Sequence, residues 1–344
     1  MLDVLVRGAG PVGCALALAL RDSGLRIALL EAASPPPAFR PIALSYASRL
    51  ILERLGVWTG LETSPIERII VSQAGSFGRT RLDAMDAGVP ALGYVTDYAA
   101  LVAQLRARVQ TTSQAADARC IVHAEGAPQD TEGKRYPQDA IVALIHAEPS
   151  AGATAFERFT PEGPLALLPF AGRYALIWSM RPQRAERLVG ASDSEFLRQL
   201  DAMAGIAIGR ATRVEKRAVQ PLVLKVRGAR VEGNEVYIGN AAQTLHPVAG
   251  QGLNLGLRDA WDLARVLASA PDAAAPETLA RFAAQRRLDA GATIRMTDFL
   301  AAGFAGDNAL LRAARGAALT ALDIFPAPRR FFARRMIFGA AALP

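Results

Sequence analysis

The chain has 344 residues, enough for one large domain or two medium ones, and its 51% apolar and 21% charged content supplies a core and excludes disorder. Two cysteines and three scattered histidines exclude a disulfide scaffold and a clustered metal site, and they suit a reducing, cytoplasmic compartment. Lysine and arginine outnumber aspartate and glutamate by 39 to 32, which favours acidic partners; the basic residues concentrate only near the end of the chain, so a membrane surface fits better than nucleic acid.

At the N-terminus, Leu2 to Val6 reads as a short buried strand. The apolar stretch from Cys14 to Leu20 is not expected to be a signal peptide, because Asp3 and Arg7 interrupt its approach and no small-residue cleavage pattern follows. Between them stands Gly8-Ala9-Gly10-Pro11-Val12-Gly13, a G-x-G-x-x-G spacing. Helix is expected from Ala15 to Leu20, ended by Gly24, and a second strand from Arg26 to Leu30, closed by Glu31. Each part has a physical job in holding a dinucleotide. Gly8 permits the tight turn, Gly10 lets a pyrophosphate approach the backbone, and Gly13 lets helix and strand pack closely. The open N–H groups of the helix start favour a phosphate, and Glu31 can accept hydrogen bonds from a ribose. Arg7 is out of pattern: a buried Val or Ile is expected there, and the arginine is expected either to pair with Glu31 or to reach a phosphate.

Further along, strand-like stretches are expected at 66–72, 141–145, 155–160, 165–169 and 174–178. A strand at Val236 to Ile238 then runs into a loop that starts at Gly239-Asn240, turns at His246-Pro247 and reaches Gly250-Gln251-Gly252-Leu253-Asn254. A helix is expected from about Gln251, with Leu253, Leu257, Ala264 and Leu267 on its buried face. This second strand–loop–helix can cradle another part of the same long ligand, with Asn240 placed to bond a polyol. From Ala309 onward, arginines interleave with Phe331, Phe332, Met336, Ile337 and Phe338, either as an interfacial helix or as a packed helix with a solvated arginine face.

The string from Gly239 to Asp259 resembles the second flavin-binding motif of the aromatic-ring flavoprotein monooxygenases. Its Gly-Asn-Ala-Ala-Gln-Thr-Leu-His-Pro wording is similar to the ubiquinone-biosynthesis hydroxylases, nearest to their 2-polyprenyl-6-methoxyphenol hydroxylase branch. Arg40-Pro41-Ile42-Ala43-Leu44-Ser45, Ala91 to Val95, and Ala155 to Pro169 match in the same order, so the resemblance covers nearly the whole chain. It implies an α/β protein: a Rossmann-like FAD-binding domain (1–63, 91–135 and 232–300, shortened near 106–130) interleaved with a mixed-sheet substrate domain (64–90 and 136–231), then C-terminal helices (301–344). By the resemblance, Gly8, Gly10, Pro11, Val12 and Gly13 hold the FAD pyrophosphate, Glu31 the adenosine ribose, and Arg40 the phosphate or ribityl side. Gly239 and Asn240 stand near the ribityl chain, and Pro247 and the Gly250–Asn254 backbone near the flavin ring.

The implied reaction uses NAD(P)H and O2 to hydroxylate a polyprenyl phenol. The cofactor carries the hard chemistry, so no side-chain nucleophile is expected and His246 reads as a turn residue. Peripheral contact with the inner face of a membrane through 309–338 is implied by such a substrate, and a homo-oligomer or a biosynthetic complex stays open. The chain departs from the pattern between Leu101 and Tyr136. Glu125 stands where Asp is expected, and a strand hairpin is missing around 111–117, which is expected to expose apolar surface or leave it for a partner chain. With Arg7, these departures keep two alternatives open: a flavin-poor, non-catalytic paralogue or accessory subunit of the same fold, and a related hydroxylase of a soluble aromatic.

Overall fold

The computed structural model describes residues 1–31, 40–127, 131–245, 250–303 and 309–339. In chain order the first part contains β1 (Leu2–Arg7), α1 (Pro11–Ala19), β2 (Ile27–Leu30), β3 (Pro41–Ser45), α2 (Tyr46–Arg54), β4 (Ser64–Ile66), β5 (Arg68–Gln73), β6 (Arg79–Asp83), α3 (Ala84–Ala87), β7 (Gly93–Asp97) and α4 (Tyr98–Arg106). The middle holds β8 (Ala118–His123), β9 (Gly133–Glu148), β10 (Thr154–Thr160), β11 (Gly163–Phe170), β12 (Arg173–Met180), α5 (Pro182–Val189), α6 (Asp193–Ala204) and β13 (Arg210–Val226). The last part holds β14 (Val231–Glu232), β15 (Glu235–Tyr237), β16 (Gln243–Thr244), α7 (Gln251–Ala268), α8 (Pro276–Gly303), α9 (Ala309–Ile324) and α10 (Pro326–Phe338).

These strands form three sheets. The first runs β14-β15-β8-β1-β2, with β15, β8, β1 and β2 parallel. Parallel strands are covered on their faces and therefore read as apolar runs; Val4 and Val6 of β1 are fully buried, under α1 and α7. The second sheet has eight strands, β16-β13-β9-β12-β11-β10-β5-β6, and one of its faces is packed under α5 and α6. A small third sheet, β3-β7-β4, is antiparallel.

The single strand expected at 66–72 is two strands in different sheets. Ile66 pairs with Gly93 of β7, whereas β5 pairs with β6 and β10. Between them the backbone N–H of Glu67 turns away to the carbonyl of Ala153. From α4 to β8 the chain crosses 107–117 with one ladder contact, a parallel bridge between Leu30 and Thr112.

Among the described residues, the five-stranded sheet beside 107–117 shows no patch of bare apolar surface. None of the large apolar side chains of the five-stranded sheet is among the exposed ones, and Leu5 is 4% exposed. At the C-terminal ends of its strands the face turned away from α1 carries polar groups. Strand pleating sends Val4 and Val6 toward α1 and Arg7 to the other side, so Arg7 is exposed rather than buried. It lies in register with His123, which is in turn in register with Tyr237. The His123 and Tyr237 rings stack with centroids 4.6 Å apart, and His123 Nδ1 is 2.7 Å from a Glu125 carboxylate oxygen. Burial would raise the Glu125 carboxyl, but the hydrogen bond and charge of His123, with the charge of Arg7, hold it below its ordinary value.

Candidate functional site

Two strand–turn–helix junctions meet at Val12. The first runs from β1 through Gly8 to α1. Gly8 has φ +103°, and a Cβ there would stand 2.6 Å from the Cα of Glu125. A Cβ on Gly13 would collide with the carbonyl oxygen of Gly8. Both glycines are therefore required by packing, as the spacing predicts. Gly10 differs: the nearest atom to a Cβ there is the Tyr98 hydroxyl, 4.0 Å away, so its surroundings are open. Pro11 occupies the first turn of α1, and no side chain caps the helix start.

The second junction runs from β15 through Gly239 to α7. Gly239 and Gly256 both press on Val12, with its Cγ2 at 3.0 Å and 2.7 Å from where their Cβ atoms would stand. Asn240 is exposed at the mouth of this loop. Gly250 is left-handed, with φ 60° and ψ 26°, and it too leaves its helix without a side-chain cap. Among the described residues nothing lies within 4 Å of where a Cβ on Gly252 would stand, so that side of the first turn of α7 is open. Two uncapped helix starts, each with an open glycine, thus face a common region and fit the phosphates and ring of an extended dinucleotide.

Arg40 and Glu31 belong to the first junction. The Arg40 guanidinium lies 5.2 Å from the centroid of the Tyr98 ring, beside Gly10. Glu31 is paired not with Arg7 but with Arg106, at 3.2 Å, because the strand turns Arg7 away and α4 brings Arg106 in. Arg106 also donates through Nε to the carbonyl of Ala9 at 3.1 Å. It is a site residue that sequence reasoning missed, for no local motif marks it; only the packing of α4 on α1 places it there. His246 and Pro247 lie outside the described residues.

Two side chains lock the second junction. The amide of Asn254 is saturated within the protein: its Oδ1 accepts from the Ser45 N–H and the Ser48 hydroxyl, and its Nδ2 donates to the carbonyls of Ala43 and Gly250. The Arg-x-x-Ala-Leu-Ser segment is therefore the partner of α7, and only the backbone of Asn254 is left for a ligand. Asp259, fully buried, closes the motif on its own beginning. It accepts from the Gly239 N–H at 3.1 Å and Gln243 at 3.0 Å, and it pairs with Arg230 at 3.2 Å and Arg286 at 2.8 Å. Burial would raise its carboxyl; the Arg230 and Arg286 guanidiniums hold it below the ordinary value instead. The cysteines are inert, since burial pushes the thiols of Cys14 and Cys120 up to about 11 and about 12.

The third sheet joins these junctions to the eight-stranded sheet. Ala43 of β3 touches α7 and is in register with Val95 of β7. Val95 packs with Ile66 and Ala155 of β10. The sheet face that carries Ala155 is thus the one turned toward the start of α7. One row along it run Val71, Glu157, Ala166, Ile177 and Val142, all half-buried, while the opposite face of β9, β11 and β12 is closed core under α5 and α6. The half-buried sheet face linked through the third sheet to the start of α7, and the two glycine junctions that meet at Val12, fit a flavoprotein of the Rossmann-plus-substrate-sheet class.

Comparison with known proteins agrees. The family model described as "FAD binding domain" matches residues 121–297. Ubiquinone hydroxylase UbiL of Rhodospirillum rubrum is 30% identical, over 96% of this chain and 88% of that protein. The 3-demethoxyubiquinol 3-hydroxylase of Escherichia coli is 26% identical over 93% and 94%. In fold, p-nitrophenol 4-monooxygenase PnpA from Pseudomonas putida superposes with a TM-score of 0.76 at 17% identity, over 99% of each chain. The chain belongs to the FAD-dependent monooxygenase family of ubiquinone biosynthesis. Its cofactor is FAD.

Proposed function

We propose that the protein hydroxylates the ring of a polyprenyl phenol on the route to ubiquinone, with NAD(P)H and O2 as co-substrates. The names of its relatives, ubiquinone hydroxylase and 3-demethoxyubiquinol 3-hydroxylase, support that substrate class. The observation that carries the reading is the convergence of the two open junctions on Val12. The first junction, with Gly8, Gly10, Pro11, Val12 and Gly13, takes the pyrophosphate. Glu31 takes the adenosine ribose, steered by Arg106, and Arg40 balances phosphate charge. Gly239 and Asn240 take the ribityl chain, and the backbone from Gly250 to Asn254 borders the ring. The bound flavin supplies electron transfer and oxygen activation. The chain's own residues place the phenol against the apolar wall and keep water from it.

The tail supports delivery from a membrane. Gln251, in the first turn of α7, donates to the Met336 carbonyl at 3.4 Å, so α10 abuts the second junction. Beside it Ile324, Phe325 and Phe331 are exposed, 64%, 58% and 73%. Six arginines against one acid lie between 309 and 338. We assign this surface to peripheral contact with anionic lipid. Among the described residues no helix is long and apolar enough to cross a membrane.

The purified protein should show the near-ultraviolet and blue absorbance bands of a flavin. It should oxidise NADPH faster when a 2-prenylphenol is added, with a hydroxylated product by mass spectrometry. A colourless preparation that cannot be reconstituted with FAD overturns the reading.

A further inference from the structure

One side chain on the substrate-facing wall does not fit an apolar surface. Glu157, on β10, sits in register between Val71 of β5 and Ala166 of β11, in a row that continues through Ile177 and Val142. Its carboxylate Oε1 is shut off from solvent and has no hydrogen-bond partner among the described residues. The adjacent Arg158 cannot serve it, because strand pleating sends that side chain to the opposite face, where it reaches the Ser72 hydroxyl at 3.4 Å. A buried carboxyl without a partner is costly, and a wall needed only for shape would carry Val or Ala there as its row neighbours do.

We propose that Glu157 is the proton acceptor for the substrate's ring hydroxyl. The proposal rests on the phenol-hydroxylating reading above. In the complex the other carboxylate oxygen, Oε2, which is not closed off, accepts a hydrogen bond from the phenol O–H. As oxygen is inserted, the O–H bond breaks, its electron pair stays on the phenol oxygen and flows into the ring, and the proton passes to Glu157. When the ring regains aromaticity, the new sp3 carbon loses its proton to water and Glu157 returns its own to the ring oxygen. The residue ends ionised, as it began, and no electrons are left over. Burial pushes the Glu157 carboxyl up to about 7, in the range where a general base is most effective at neutral pH. A phenol titrates near 10, so the ground-state complex holds a hydrogen bond and the proton moves only as the ring is attacked.

The test uses the FAD-loaded enzyme and a short-chain 2-prenylphenol, its methyl ether, and a ring-fluorinated analogue ionised at the assay pH. Glu157→Gln keeps the shape of the side chain and removes a buried charge, so it should fold with unchanged flavin content. Its product formation on the ordinary phenol should fall by about 10²–10⁴-fold. On the pre-ionised phenol it should come within about tenfold of the wild type, a rescue that a merely structural role would not give. Binding gives an independent readout: the wild type should hold the phenol about 10–100-fold tighter than the methyl ether, and Glu157→Val should lose that preference. Undiminished turnover in Glu157→Gln, equal losses on both phenols, or an unchanged preference in Glu157→Val overturns the proposal. If the wild type itself neither binds nor hydroxylates the phenol, the functional reading falls, and the proposal falls with it.

Discussion

Asp259 shows how a single buried charge can hold a binding loop. Its two oxygens take up a backbone N–H, an amide and two guanidiniums, and none of these partners is near it in sequence. Removing one member of such a network leaves the others buried and unpaired, which costs more than the network contributes relative to an apolar isostere. Asp259→Asn should therefore lower stability by about 3–5 kcal/mol in urea titration. The folded-state pKa of Asp259 is held below its ordinary value. Its contribution is then present above the unfolded-state pKa, at neutral pH, and is lost as pH falls through the lower folded-state value. The variant should show a shallower loss of stability on acidification than the wild type. An unchanged urea midpoint at neutral pH would show that Asp259 does not hold the loop.

Elements whose signal is local were legible in the sequence. β1, α1 and β2 announce themselves by an apolar run, a glycine spacing and an acid, and Gly13 meets Gly8 of its own turn, although the neighbour of Gly8, Glu125, lies far along the chain. The site residues set by long-range packing were not legible: Arg106 needs α4 laid on α1, and Glu157 needs the row of an eight-stranded sheet. The C-terminal helices fall between. Their composition was readable, but not which side of α9 faces out. A solvated arginine face was one expectation, yet Arg312, Arg315, Thr320 and Asp323 are half-buried, while Leu310, Leu311, Ala314, Ala318, Ala321 and Ile324 are exposed. The cause lies in β6 and the turn before it. Asp323 accepts from the Arg81 N–H at 2.9 Å, and Gly316 packs directly on Phe77 and Gly78, which fixes the rotation of the helix. The outward apolar face supports the membrane contact proposed above. Ala314→Glu with Ala318→Glu alters exposed positions only, so the fold should hold within about 0.5 kcal/mol per site. Sedimentation with anionic-lipid vesicles should show wild-type binding that weakens in high salt, and a loss of at least about tenfold in the double variant, since each inserted charge opposes both burial and the anionic surface. Wild-type protein that stays in the supernatant would refute the membrane assignment.

At the scale of the whole molecule, the glycines of the two junctions divide into those the fold needs and those the ligand needs. Gly13 belongs to the first kind, because a Cβ there collides with the Gly8 carbonyl. Gly252 is proposed as one of the second, because among the described residues nothing stands near its Cβ position. A ligand that spans both junctions ties β1, α1 and α7 together and stabilises the folded state by mass action, about 2.7 kcal/mol at a hundredfold excess over Kd. Thermal unfolding of flavin-free protein, scanned with and without added FAD, separates the two roles. Gly13→Ala should unfold at lower temperature even without flavin, by an overpacking cost of about 1–3 kcal/mol. Gly252→Val should match the wild type without flavin, within about 0.5 kcal/mol, yet gain little on adding FAD, since its side chain fills the space the ligand requires. A Gly252→Val protein that keeps the full FAD-dependent rise in Tm would remove the first turn of α7 from the binding site and leave only the Gly8–Gly13 junction to hold the cofactor.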